Sequence, residues 1–363
     1  MTDREDAHKN QYSCSPFDLR TADHRKEGNR MDLSQYLQNE PETEEPVQQL
    51  SKEEYAALKK QEREEVWAEV DAKAQEVFQD GESLKGFLNF MAQCKPQKAA
   101  NLLLLYGQNP EIRQVKTFEG WKREHKTVRA GVHGYTFIAD QKYEKDGEIR
   151  QGYTICKAYD ISQIRTRQPE PPEPKPVEVL MGALLKDTKT KVCIADNLPE
   201  KVQAQYIPRE RTIYVRNGMS GEVTFHAINR ELACAALDSH DGSYSRAAAV
   251  PQAFCAAYVT AQKYGVDTAG FQFDKICESQ EYGNRDPQEL RAFISNVKNA
   301  AYTIGRHMDR NLGQPEQEFT ADEFAVSEGM KEEGKQPEAQ KTEEAAEKTQ
   351  KSKGRKEKKQ TER

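Results

Sequence analysis

Leu84-Lys85-Gly86-Phe87-Leu88-Asn89-Phe90-Met91 and, a little further on, Asn101-Leu102-Leu103-Leu104-Leu105-Tyr106-Gly107-Gln108-Asn109-Pro110 are the stretch on which the organisation of the chain turns. In the first part Leu84, Phe87, Leu88 and Met91 recur at intervals of three and four, the period of an amphipathic helix. Pro96 lacks an amide hydrogen and ends that helix, and Asn109-Pro110 stops the next one. Beyond Pro110 the period changes. Val128 to Ile138 and Gly152 to Tyr159 read as strands, with Lys145-Asp146-Gly147 as the turn signal between them. Helices followed by strands predict an α+β unit with a modest core of its own, over residues 83–167.

Upstream, Ser51 followed by Glu54 has the spacing of a capping box and starts a helical lead-in over residues 51–82. Residues 1–50 hold almost no apolar clusters. Downstream, the Pro/Glu run over residues 168–176 removes backbone donors and favours an extended spacer between two domains. A second unit then fills residues 177–312. It opens with a helix over Val177 to Leu185 and a strand over Val192 to Ile194, followed by a hairpin over Tyr206 to Val215 that turns through Pro208-Arg209-Glu210-Arg211. Helices over Val223 to Leu237, Val250 to Tyr264 and Pro287 to Arg310 complete it. The last has the clearest signals: Asp286 as N-cap, Pro287 at the first helical position, and Leu290, Phe293, Ile294, Val297, Ala301, Ile304 and Met308 along one face. Residues 313–363 are mostly Glu, Lys, Gln and Ala. Both ends bury too little apolar surface to offset the entropy of ordering, so they are expected to be disordered tails.

The chain has 363 residues, 36% hydrophobic and 31% charged, too polar on average for one compact globule and enough for about two domains. Its net charge of −6 is unusual for a nucleic-acid binder, but the acids crowd the tails, and local patches govern the encounter with phosphate. A basic start followed by an apolar run is missing, as is any apolar stretch of membrane-spanning length, so a cytoplasmic protein without membrane partners is expected. The seven cysteines are scattered, without CxxC pairs, which fits a reducing compartment and argues against a disulfide scaffold or a zinc knuckle.

Arg113, Lys116, Lys122, Arg123, Lys126 and Arg129 fall within a short span, with Tyr106, Phe118, Trp121, Tyr135, Phe137 and Tyr153 among or near them. Cations that follow a backbone, with rings on which bases stack, suit sequence-tolerant binding of single strands. A half-buried sheet carries the same mixture for purely structural reasons, so composition alone leaves both readings open. Trp121 suits the core, and Gly131 and Gly134 suit turns, as well as they suit contact with DNA.

The order of residues adds a resemblance. Phe87 to Met91, Asn101 to Pro110, then Phe118, Trp121, Val128, Gly131, Gly134 and Tyr159-Asp160-Ile161-Ser162-Gln163 resemble the N-terminal domain of the ArdC-type antirestriction proteins over about Leu84 to Gln163. The LtrC-like proteins of conjugative elements look closer still. The resemblance implies single-stranded DNA binding in a protein of a bacterial mobile element. Where that family usually has Tyr-Ser before the matching Asn101, Gln97 and Lys98 stand here, implying a direct contact from Lys98 to phosphate. The implied nucleic-acid-binding residues are Lys98, Asn101, Arg113, Lys116, Trp121, Lys122, Arg123, Lys126 and Arg129.

The second unit resembles a zinc metallopeptidase of the ImmA/IrrE kind, in which a hairpin precedes a His-Glu-x-x-His helix and a further helix supplies a third ligand. Two histidines one helical turn apart share a zinc, and the glutamate acts as base on its water. Gln205-Tyr206-Ile207-Pro208 and Thr212-Ile213-Tyr214-Val215 match the hairpin, but the helix reads Arg230-Glu231-Leu232-Ala233-Cys234. Both histidine positions are lost, and from Ser243 to Val266 there is no acid to serve as third ligand. The expectation is a degenerate zincin-like domain with no catalytic residues and no cofactor. A fallback metal set would be His226, Cys234 and Cys255. His240-Asp241 near Ser243 and Ser245 reads as a loop, since adjacency is not triad geometry. Glu231, left without a metal, needs a counter-charge from outside its own helix, and Arg246 is the leading candidate.

The fold expected is therefore α+β, a small helix-plus-sheet DNA-binding domain followed by a mainly helical zincin-like domain. Its expected function is single-stranded DNA binding, with antirestriction or protection of transferred DNA as the setting. Two alternatives remain: a metallopeptidase or metal-binding protein with a rearranged site, and an interaction module acting on host restriction or conjugation proteins.

Overall fold

A computed structural model of the chain describes residues 51–145, 147–166, 173–279 and 285–314. The tails expected over residues 1–50 and from 315 onward, and most of the Pro/Glu linker, lie outside the described residues.

Helix α1 (Lys52–Val77) starts on the capping box read from the sequence: Ser51 Oγ accepts from Glu54 N, and Glu54 accepts from Ser51 N. Its buried side chains are Val66, Val70, Ala74 and Val77, one per turn on a single face. Helix α2 (Gly81–Gln93) is capped by Asp80, and α3 (Ala99–Gln108) follows after Pro96. Strand β1 (Val115–Thr117) leads into the short helix α4 (Phe118–Arg123), then β2 (Tyr135–Lys145) and β3 (Glu148–Asp160). These strands form an antiparallel sheet in the order β1-β3-β2, with the hairpin turning at Gly147, φ +78°.

The strand expected from Val128 begins only at Tyr135. Gly131 takes a left-handed φ of +77°, which breaks the extended run, and Val128 makes only an isolated bridge to Ile164. Gly134 sits where a Cβ would lie 2.9 Å from Lys157 Cβ, so it permits close approach of β2 to β3.

In the second half, α5 (Val177–Leu185) precedes β4 (Lys191–Ile194), β5 (Ala204–Ile207) and β6 (Thr212–Val215). Strands β5 and β6 are the expected hairpin, and β4 pairs parallel to β6, giving the order β4-β6-β5. Helices α6 (Gly221–Ala236), α7 (Arg246–Tyr264), α8 (Asp274–Glu278) and α9 (Pro287–Asn311) follow. Small buried residues, Ala227 and Ala233 on α6 with Ala253, Ala256 and Ala257 on α7, let these two helices pack closely. Asn229, fully buried on α6, donates to Ala257 O at 3.0 Å.

The fold is α+β, and one hydrophobic core runs through both halves, from Val66 on α1 to Met308 on α9. Phe78 meets Phe293 edge-on at 5.2 Å, and the Arg291 guanidinium lies over Trp67 at 5.3 Å while its Nη1 pairs with Asp71. Asn89 on α2 accepts from Tyr258 Oη at 2.6 Å and Gln262 Nε2 at 3.0 Å, both on α7. A smaller cluster of Trp121, Ile161 and Ile164 anchors α4. No described helix is long and apolar enough to cross a membrane.

Candidate nucleic-acid interface and the Glu231 site

The sequence candidates in the first half divide into scaffold and surface. Asn101 is 2% exposed and does not face solvent. Its Oδ1 accepts from Ile138 N at 2.9 Å and its Nδ2 donates to Ile138 O at 2.9 Å. Two turns on, Gln108 does the same to Thr136, accepting at 2.7 Å and donating at 3.0 Å. Strand β2 is the sheet edge, so these amides from α3 take the place of a further strand and satisfy buried backbone groups. Asn101 is thus a structural residue rather than a DNA contact.

Trp121, also named as a binding residue, is 0% exposed, and its indole donates to Tyr159 O at 2.8 Å. A ring used on both faces for packing has none left for a base. Lys116 is buried too, its ammonium held by Glu124 and set 5.9 Å from the Trp121 ring centre. Lys126 meets the same carboxylate at 2.7 Å and the same ring at 5.2 Å. Burial opposes ionisation of Glu124, but the two lysines hold its pKa below the usual carboxylate value.

Lys122, Arg123, Arg129 and Arg113 are exposed, and Lys98 is exposed while pairing with Asp140. Phe118 is 51% exposed on α4, one turn before Lys122. It is an exposed ring available for stacking, which the expected binding set, with Trp121 in it, did not include. Phe118 and Lys122, four residues apart on α4, stand next to one another on the helix surface.

The Asp160-Ile161-Ser162-Gln163 motif is a knot. Asp160 Oδ1 accepts from Arg113 N and Gln114 N, both at 2.9 Å, and Oδ2 from Ser162 N at 2.8 Å. Gln163 accepts from Asp160 N at 2.9 Å and donates to His133 O at 2.8 Å. The backbone of Arg129 joins it through Gln163 O at 2.9 Å. The segments bearing Arg113 and Arg129 are thereby fixed to one point.

In the second half, Glu231 on α6 is fully buried. Arg246, the first residue of α7, holds it through Nη1 to Oε2 at 2.8 Å and Nη2 to Oε1 at 2.9 Å, as its chemistry required. Tyr206 N on β5 also donates to Oε2, at 2.8 Å, and Arg230 Nε stands 3.6 Å from Oε1. The bonds to Glu231 raise the Arg246 pKa further. Burial first, and Glu231 second, push the neighbouring Cys234 thiol up to about 11.

This is not the donor set of a metal site. Two guanidiniums and an amide already use the carboxylate, and Cys234 stays a neutral thiol at physiological pH. The fallback trio is not brought together either. His226 Nε2 lies 2.8 Å from Asp267 O with its ring against Phe271, Cys234 sits beside Glu231 and Tyr244, and Cys255 is fully buried with Cys277 as its neighbour. Among the described residues no three His, Cys, Asp or Glu side chains converge on a metal position. His240 Nδ1 meets Asp238 at 3.2 Å in a loop, and Tyr206 Oη donates to Asp238 at 2.9 Å, which makes this a structural cluster.

The first half is a helix-backed antiparallel sheet closed by the Asp160 knot, and sequence comparison finds a family model that matches it. Residues 60–173 match the family model described as the N-terminal domain of anti-restriction factor ArdC. Over these residues the chain is similar to the N-terminal domain of the ArdC-type proteins. No curated protein matches the chain. Among solved structures, the metal-free crystal structure of antirestriction ArdC from plasmid R388 aligns at 12% identity with a TM-score of 0.43, over 66% of this chain and 98% of that one. The Mn(II)-bound structure of the same protein aligns at 14% identity with a TM-score of 0.39, over 61% and 90%.

Proposed function

We propose that the chain binds single-stranded DNA through its ArdC-type segment and acts in antirestriction or protection of DNA in a mobile-element setting. The observation that carries this reading is the family match over residues 60–173. Exposed side chains support it. Phe118 offers a stacking ring, and Lys98, Arg113, Lys122, Arg123 and Arg129, with the half-buried Lys126, offer charge for successive phosphates. Asn101, Lys116 and Trp121 act beneath that surface as scaffold.

The second half serves, in this reading, as a folded, non-catalytic support. In a zincin-like site Glu231 would act on metal-bound water; here Arg246 neutralises it and the Tyr206 amide occupies it. The continuous core makes the full chain the proper object for testing. Anisotropy titrations with labelled single strands and with the matching duplex, at several salt concentrations, test the proposal. Tighter binding to the single strand, weakening with salt, is expected. Equal affinity for duplex or a flat salt response rejects it.

A further inference from the structure

Strands β4, β5 and β6 form a sheet with two unlike faces. Tyr206, Ile213 and Val215 are buried on one of them, against the core. The register sets the other. Lys191 pairs with Thr212, Cys193 with Tyr214, and Tyr214 with Gln205, and the side chains of paired residues share a face. Lys191, Cys193, Tyr214 and Gln205 therefore stand together on the outer face, Lys191 exposed and the other three half-buried.

Cations gather at one end of this face. Parallel pairing of β4 with β6 brings the segment of Lys189 and Lys191 beside the turn of Arg209 and Arg211, and Lys191 N donates to Arg211 O at 3.2 Å. The turn is stiff, since Pro208 restricts its backbone and Arg211 N donates to Pro208 O at 3.2 Å. All four cations are exposed, and none forms an ion pair among the described residues. Lys98, Arg113 and Lys126 in the first half differ, each having a carboxylate partner in Asp140, Glu111 and Glu124. Asp187 and Glu210 are the acids in these two stretches, too few to balance the cations, and Glu210 is engaged. Its Oε2 accepts from Tyr214 Oη at 2.6 Å. That bond ties the Tyr214 ring to the residue between Arg209 and Arg211, and it raises the phenol pKa, so the ring stays neutral.

We propose that this outer face is a second contact for single-stranded DNA, with a base stacked on Tyr214 and the neighbouring phosphates met by Lys189, Lys191, Arg209 and Arg211. A neutral ring set among cations suits a single strand, because every base has a face to stack and every linkage carries a charge. An acidic protein surface uses the cations but has no need of the ring. A duplex keeps its bases stacked on one another and offers none to Tyr214. The inference rests on the reading that the chain binds single strands, and it places part of the affinity in the second half, outside residues 60–173.

Anisotropy titrations of the full chain with a labelled single strand, at several salt concentrations, test it. Lys189→Gln with Lys191→Gln, and Arg209→Gln with Arg211→Gln, should each lower affinity and reduce the log–log salt slope by about 0.7 for every phosphate contact removed. These side chains are exposed, so the melting temperatures should stay at the wild-type value, which separates lost contacts from lost folding. Tyr214→Leu should weaken binding roughly fivefold or more with little change of slope, and Tyr214→Phe, which keeps the ring, should retain most of the affinity. Ultraviolet cross-linking to a strand carrying iodouracil should label the Tyr214 peptide of the wild-type chain and not that of Tyr214→Leu. If the wild-type chain binds single strands and these variants match it in affinity and slope, the proposal is overturned and the α4 surface stands. A wild-type chain that binds no single strand overturns both readings. Cation variants that keep DNA binding but lose binding of polyglutamate assign the face to an acidic protein, which also overturns the proposal.

Discussion

Arg246 meets the buried carboxylate of Glu231 with two near-parallel hydrogen bonds, 2.8 and 2.9 Å long, bridging the start of α7 to the middle of α6. The two residues are unequal partners. Glu231 is fully buried, while the Arg246 side chain is 38% exposed. Removing Arg246 strands a carboxylate inside the protein, with the Tyr206 amide at 2.8 Å and Arg230 at 3.6 Å left to compensate. Removing Glu231 leaves a guanidinium that water still reaches, and an orphaned Tyr206 amide. Arg246→Ala is therefore expected to cost about 3–5 kcal/mol, the range for breaking a buried pair. Glu231→Ala should cost less, about 1–3 kcal/mol for the amide. Urea denaturation of both variants checks the order, and equal, negligible losses would show the pair to be inert.

Asn101 offers a second test, because its predicted role as a DNA contact and its observed role as an edge closer give different outcomes. Asn101→Ala leaves the Ile138 amide and carbonyl without partners in a buried setting, at about 1–3 kcal/mol for each group. A marked fall in melting temperature is expected, with DNA affinity unchanged while the chain remains folded. Intact stability with lost affinity would return Asn101 to the interface.

His226 should make stability depend on pH. Among the described residues its Nδ1 is buried without a partner while Nε2 faces Asp267 O, and burial lowers its pKa despite the opposing pull of that carbonyl. The unfolded chain binds this proton first, near pH 6.5, so stability rises with pH there. Stability is full above about 6.5 and is lost as pH falls toward the lower folded value. The urea midpoint should thus decline between roughly pH 6.5 and 5. His226→Gln, which keeps a donor toward Asp267, should flatten the decline; an unchanged slope would point to other groups.

The environment of Glu231 leads to a further expectation, that the purified chain retains no stoichiometric zinc and that a chelator leaves its melting temperature unaltered. Elemental analysis after dialysis against zinc reads this directly. About one tightly held ion per chain, abolished by Cys234→Ser, would revive a rearranged metal site.

Much of this was legible in the sequence because the physics was local. Ser51 with Glu54, Asp286 with Pro287, and the apolar face from Leu290 to Met308 set α1 and α9 nearly to the residue. The Arg246 partnership was legible through charge, since a motif glutamate without its metal needs a cation, and the adjacent Arg230 reaches it only at 3.6 Å. Long-range features were not. That Asn101 and Gln108 close a sheet edge depends on Thr136 and Ile138 reaching α3, which no spacing reveals. Trp121 and Phe118 look interchangeable in sequence until one is turned inward by the Tyr159 carbonyl. The outer sheet face at Tyr214 needs Lys191 of β4 brought beside Arg211.

The exposed face of α4 puts the central claim to its most direct test. Full-length chain is titrated into a labelled single strand, and the salt dependence is compared with that of Phe118→Ala and of Lys122→Gln with Arg123→Gln. The account predicts preference for single strand over duplex, and a log–log salt slope reduced by roughly 0.7 for each phosphate contact removed. Phe118→Ala should lose about 1–3 kcal/mol of affinity with little change in slope, as expected for a stacking ring. Unaltered binding by both variants, or equal binding to duplex, would contradict it.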